Sequence, residues 1–150
     1  MKTILVATNG SEQSRAAVDA AVEMARDEGA RLVCAHVVSI LDFAPEQNGR
    51  QHIPPARLPR AENDAALCEA LELAAANGVE AEAELLVGYP PHQLVRLADD
   101  VAADLIVVGS RGLGGFKSAI VGSTSREVVA HAGRTVLVVR QVPAAEIARV

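Results

Sequence analysis

In Ile4-Leu5-Val6-Ala7 and again in Leu105-Ile106-Val107-Val108, every consecutive residue is apolar. Side chains along a strand alternate between the two faces of its sheet. A strand made from such a run is therefore apolar on both faces and has to be covered on both. This predicts central, parallel strands with helices packed above and below. Around the two runs, other short apolar stretches alternate with longer amphipathic ones, which is the pattern of an α/β fold.

The first strand is read over 3–7. A helix follows over 11–28, with Ser11 as its N-cap and Gly29 at its end. Its polar positions Arg15, Asp19, Glu23 and Asp27 recur every fourth residue, and Val18, Ala21, Val22 and Ala25 make its buried stripe. A second strand is expected over 31–38. Residues 39–60, with Pro45, Pro54, Pro55 and Pro59, read as a polar loop, long for a compact domain. The next helix is expected over 60–77, with Leu67, Ala70, Leu71, Ala74 and Ala75 on one face and Gly78 as its cap. Val79, Ala81, Ala83 and Leu85 alternate with Glu80, Glu82 and Glu84, which predicts a half-exposed strand near the sheet edge. Pro91 opens a third helix carrying Leu94, Leu97, Ala98 and Val101 on one face. Further elements are a strand over 104–109, a helix over 123–131 and a fifth strand over 135–140. The tail 141–150 receives no assignment, and residues 1–150 are read as one domain.

Composition narrows the function classes. With 150 residues the chain suits a single core, and 28 alanines and 20 valines suit helices packed closely on a sheet. No apolar run approaches the ~18 residues of a membrane span, and the N-terminal run is too short for a secretory signal. A net charge of −5 with three aromatic residues argues against nucleic-acid binding. Cys34 and Cys68 form no C-x-x-C pair and are read as small buried hydrophobes. The expectation is a cytoplasmic protein with no membrane or nucleic-acid partner.

The stretch 109–125, GSRGLGGFKSAIVGSTS, carries the functional signal. It leaves a buried strand and arrives at a helix N-terminus. There, unpaired N–H groups and the positive end of the helix dipole attract anions. Glycines let the backbone approach ligand oxygens, and Ser123, Thr124 and Ser125 add hydroxyls. Carboxyl ends of parallel strands are also where open α/β sheets bind ligands. The familiar phosphate motifs do not fit. Lys117 follows Phe116 rather than glycine, a dinucleotide fingerprint would need glycine at 117, and Val108 stands where a hydrolase elbow needs its first glycine.

Gly109-x2-Gly112-x9-Gly122-Ser123 resembles the ATP-binding signature of the universal stress protein family. The opening Ile4-Leu5-Val6-Ala7-Thr8-Asn9-Gly10-Ser11 is similar to that family's first strand and turn. Ala103 to Gly112 and Thr135 to Arg140 are similar to its last two strands, so the resemblance covers roughly residues 2–140. It implies a doubly wound, Rossmann-like sheet of five parallel strands in the order 3-2-1-4-5. It also implies ATP as ligand, with or without magnesium, and leaves another adenine nucleotide such as cAMP open. By the same resemblance, Ala7, Thr8 and Asn9 line the nucleotide, and Val37 binds adenine through its backbone. Gly109 and Gly112 lie beside ribose and phosphates, and Gly122, Ser123, Thr124 and Ser125 hold the phosphates; Val108 and Arg111, on either side of Gly109, are counted among the nucleotide-binding candidates. It further implies a homodimer paired through the fifth strand, Thr135 to Val139. The chain departs from the family pattern at Asn9, where Asp is usual, and at Thr135, where Pro is usual.

His36, His52, His92 and His131 show no metal spacing and no paired carboxylate pattern, and His36 reads as a satisfied core histidine. Glu80, Glu82 and Glu84 read as a solvated face, and Arg50, Arg57 and Arg60 as solvated charge. Arg111 and Lys117, inside the glycine loop, are candidates for phosphate contact. The expected function is an ATP-binding stress-response or signalling module with at most slow hydrolysis and no catalytic residues. The alternative is a dimeric interaction protein of the same fold that binds no nucleotide.

Overall fold

In the computed structural model, which describes residues 1–39, 60–110 and 122–141, the N-terminal apolar run forms β1 (Thr3–Ala7). α1 (Glu12–Glu28) follows, and the Ser11 side chain accepts a hydrogen bond from the Ser14 N–H at its start. Gly29 ends α1 with φ +64°, a conformation that a β-carbon disfavours. Next come β2 (Arg31–Val38), α2 (Ala65–Ala76) and β3 (Ala81–Val87). The chain closes with α3 (Pro90–Asp100), β4 (Leu105–Gly109), α4 (Ser123–His131) and β5 (Thr135–Val139). The expected loop over 39–60 (apart from Ser39 and Arg60), the glycine-loop residues 111–121 and the tail from 142 lie outside the described residues.

All pairings are parallel, and the five strands are ordered β3-β2-β1-β4-β5. This is the doubly wound order, which reverses direction between β1 and β4. Alternation along the strands divides the core into two layers. Ile4, Val6, Leu32, Cys34, Leu105 and Val107 face α1 and α2. Leu5, Val33, Ala35, Ile106 and Val108 face α3 and α4. Burial pushes the Cys34 thiol up to about 12, so it is a packing group and not a nucleophile. Cys68 is only half-buried, unlike the buried hydrophobe expected, because it lies on the flank of α2.

α2 starts later than the sequence suggests. Asp64 is extended, and its carboxylate accepts from the Leu67 N–H at 2.9 Å, which makes it the N-cap. Residues Ala61–Asn63 form a separate 3-10 turn. Of the expected face, Leu67, Ala70 and Ala74 are buried. Ala66 is buried and Leu73 packs on the core, whereas Ala75 is exposed.

Candidate functional site

The turn from β1 into α1 is held by short polar side chains. The Thr8 N–H donates to the Ala35 carbonyl at 2.8 Å and ties the end of β1 to β2. Asn9 Oδ1 accepts from the Ser11 N–H at 3.0 Å. The Ser14 hydroxyl is the hub of the turn. Its proton faces Asn9 Oδ1 and the Ser11 carbonyl, both at 3.0 Å, and its oxygen lies 3.2 Å from Thr8 Oγ1. Thr8 and Ser14 are buried, and Asn9 is exposed at the rim.

Opposite this turn, β4 ends at Val108-Gly109, and the Ser110 N–H donates to the Val139 carbonyl at 2.8 Å. α4 begins nearby with Gly122 as N-cap and, among the described residues, no side-chain cap on its first amides. Ser125, 1% exposed, donates its hydroxyl back to the Gly122 carbonyl at 3.0 Å. α1 differs, because the Ser11 side chain already occupies its N-terminus. α3 also starts without a side-chain cap, but its first two residues, Pro90 and Pro91, have no N–H. Among the described residues, the helix end offering free amides at this edge of the sheet is therefore that of α4.

Between the two lies a cleft of about 200 Å³. It brings together Ala7, Thr8, Asn9, Val37, Val108, Gly109, Thr124 and Ser125 from the residues singled out in the sequence. Gly122 and Ser123 stand at the start of α4 without lining the cleft, and Arg111 and Gly112 lie outside the described residues. The cleft adds residues that sequence reasoning passed over. Ser11, Gln13 and Ser14 come from the first turn of α1, Pro90 and Leu94 from α3, and His36 from β2. The serines of a capping turn were a usable signal, since a helix N-terminus at the end of β1 belongs to the same edge of the sheet. Pro90 and Leu94 had none beyond helical spacing.

His36 is satisfied, as read from sequence, but it does not lie in the core. Its Nδ1 lies 2.8 Å from Asp64 Oδ2, so it does have a carboxylate partner, 28 residues away across the loop. Its side chain is 18% exposed and forms part of the cleft wall, not of the sealed core. One Asp64 oxygen holds this imidazole while the other caps α2. No carboxylate lines the cleft among the described residues, which instead offer amides, hydroxyls and one imidazole. Such a set donates hydrogen bonds to an anion and suits a divalent ion poorly. No group of three metal-binding side chains occurs among the described residues, and none of their helices is long and apolar enough to cross a membrane.

A family model described as the universal stress protein family matches residues 1–140. The universal stress protein YxiE of Bacillus subtilis is 35% identical over 144 residues, covering 91% of this chain and 97% of its own. A crystal structure of a universal stress protein in complex with cAMP is 33% identical, covers 93% of this chain and 96% of its own, and superposes with a TM-score of 0.70. The universal stress protein of Archaeoglobus fulgidus in complex with dAMP is 26% identical, covers 92% and 97%, and has a TM-score of 0.65.

Proposed function

Because this chain belongs to the universal stress protein family, we propose that it binds an adenine nucleotide, ATP in the first place, in the cleft at the carboxyl ends of β1 and β4. The observation that carries this is the N-terminus of α4, which has no side-chain cap among the described residues, with Thr124 and Ser125 lining the same cleft as the end of β1. Unpaired amides at a helix start, aided by the dipole, are a phosphate cradle. The complexes of similar proteins with cAMP and dAMP support an adenine base in this fold.

In this reading the backbone of Val37 receives adenine, and Ala7, Thr8 and Asn9 face the sugar. Val108 and Gly109, followed in sequence by Arg111 and Gly112, flank the ribose and phosphates. Gly122, Ser123, Thr124 and Ser125 hold the terminal phosphates. Any magnesium arrives on the ligand's phosphates, since the described lining residues provide no carboxylate. Hydrolysis is slow at most, and the nucleotide acts as a signal in a stress-response module. The protein is a cytoplasmic homodimer paired through β5.

Calorimetric titration with ATP tests the site. Thr124→Glu adds a negative charge to the first turn of α4, which favours the helix but repels phosphate. ATP affinity is expected to fall at least ~10-fold, about 1.4 kcal/mol, with no drop in melting temperature. Wild-type affinity in this variant sinks the phosphate assignment. A wild-type protein that takes up no ATP favours the interaction-protein alternative.

A further inference from the structure

A second opening lies between α1 and α2. Val18 of α1 and Ala66, Ala70 and Leu73 of α2, with Thr8, line a crevice of about 210 Å³. It matches the nucleotide cleft in size and shares Thr8 alone with it. Its walls are apolar and largely withdrawn from water, since Val18, Ala66 and Ala70 are 4%, 9% and 2% exposed. At 66 and 70 a methyl group stands where a longer side chain would fill the space between the helices. An apolar cavity of about 150 Å³ already holds a benzene ring, so one ring fits here.

Arg15, Asp19 and Glu69 also line the crevice, and all three are exposed, so they form its mouth. Two of these charges cancel. Arg15 Nε lies 2.7 Å from Glu69 Oε1, and its Nη2 donates to Oε2 at 3.3 Å, a two-point pairing. Asp19 has no hydrogen bond or ion pair among the described residues. The uncompensated charge at the mouth is therefore one carboxylate above an apolar wall.

We propose that the α1–α2 crevice is a second ligand site, separate from the nucleotide cleft, for a small amine with an apolar body about one ring in size. The body enters against Val18, Ala66, Ala70 and Leu73, and the ammonium group meets Asp19. Removal of apolar surface from water drives entry, and the carboxylate selects the sign of the head group. An anion of the same size is repelled by Asp19 and finds Arg15 already held by Glu69.

Benzylamine, benzyl alcohol and benzoate test this, because they share one ring and differ in the charge of the head. They are titrated into the full chain at low ionic strength and followed by NMR. Benzylamine is expected to shift the Val18 and Leu73 methyl resonances. It is expected to bind about 2- to 5-fold tighter than benzyl alcohol, the scale of an exposed ion pair, with benzoate weakest. Asp19→Asn should bring benzylamine down to the level of the alcohol and leave the alcohol unchanged. Ala70→Leu fills the crevice and should weaken benzylamine at least ~10-fold. Ala66→Leu, one turn earlier, makes the same test if Ala70→Leu melts too low to titrate. Absence of benzylamine binding, shifts that spare Val18 and Leu73, or equal affinity for benzylamine and benzoate overturns the proposal. So does a leucine variant with wild-type melting temperature and wild-type affinity for benzylamine. The nucleotide site is judged separately, by the ATP titration.

Discussion

Gly109 packs so closely beneath the first turn of α1 that a β-carbon on it would lie 2.6 Å from the Gln13 carbonyl oxygen and 2.8 Å from its carbonyl carbon. Real β-carbons do not approach backbone so closely. The glycine therefore sets how near α1 comes to the end of β4, quite apart from any ligand. Gly109→Ala is expected to push the helix start away at a cost of about 1–3 kcal/mol, the range of an overpacked core. Urea denaturation measures it. An alanine variant as stable as wild type would mean that α1 yields freely at this point.

Asp64 joins two elements with one carboxylate. Asp64→Ala removes the N-cap of α2 and the partner of His36 together, and should lower stability by about 1–2 kcal/mol. Asparagine caps almost as well as aspartate. Asp64→Asn is therefore expected to recover most of that loss, while the amide pairs less strongly with the imidazole. Chemical denaturation of the two variants checks this order. Equal losses in both would place the main contribution in the His36 contact and not in the cap.

Much of the architecture was readable because each signal was local. Ile4–Ala7 and Leu105–Val108 needed cover on both faces, which placed them at the centre of the sheet. Ser11 and Gly29 marked both ends of α1 within a residue. Local signals failed where partners lie far apart in sequence. Asp64 reads as one more polar residue in a helical stretch until its carboxylate is seen turned to the Leu67 N–H and to His36. The glycine at 109 was legible as a glycine of the phosphate loop, but its contact with Gln13 depends on how two distant elements dock. The loss of charge at Asn9 was visible in the sequence. That its Oδ1 is engaged by the Ser11 N–H and the Ser14 hydroxyl followed only from the structure.

Acid should loosen the opposite edge of the sheet. Asp104 Oδ2 accepts from the Lys2 N–H at 2.7 Å and from the Thr3 N–H at 2.9 Å, joining the start of β4 to that of β1. The Thr3 and Lys2 amides, in that order, hold its carboxyl below the ordinary carboxylate range. A carboxyl with its folded value lowered contributes stability above its unfolded value, and loses it as pH falls through the folded one. Wild type should therefore lose stability more steeply than Asp104→Asn below about pH 4. Melting temperatures of the two proteins across that range decide it, and parallel curves would remove Asp104 from the acid response.

The two edges of the sheet differ in a way that bears on assembly. β3 carries Glu82 at an exposed position, paired with Arg31 of β2 at 3.1 Å, and Glu80 directly precedes the strand. Charge of this kind blunts an edge against further pairing. β5 is Thr135-Val136-Leu137-Val138-Val139, half-buried from Val136 onward and bonded to β4 on one side. It has no charged residue within it, and Arg140 comes only after its end. Val136 and Val138 face the α3–α4 layer, and Leu137 and Val139 the α1–α2 layer, so apolar surface borders the edge on both faces. A second copy meeting the strand about a two-fold axis would cover that surface on both molecules with one self-complementary patch. Leu137→Asp and Val138→Lys are each expected to give monomer or precipitate where wild type sediments as a dimer. Sedimentation of the wild-type chain is the direct measurement, and a species of 15.6 kDa at about 10–100 μM, the lower end of the range where exposed edges associate, would refute the pairing.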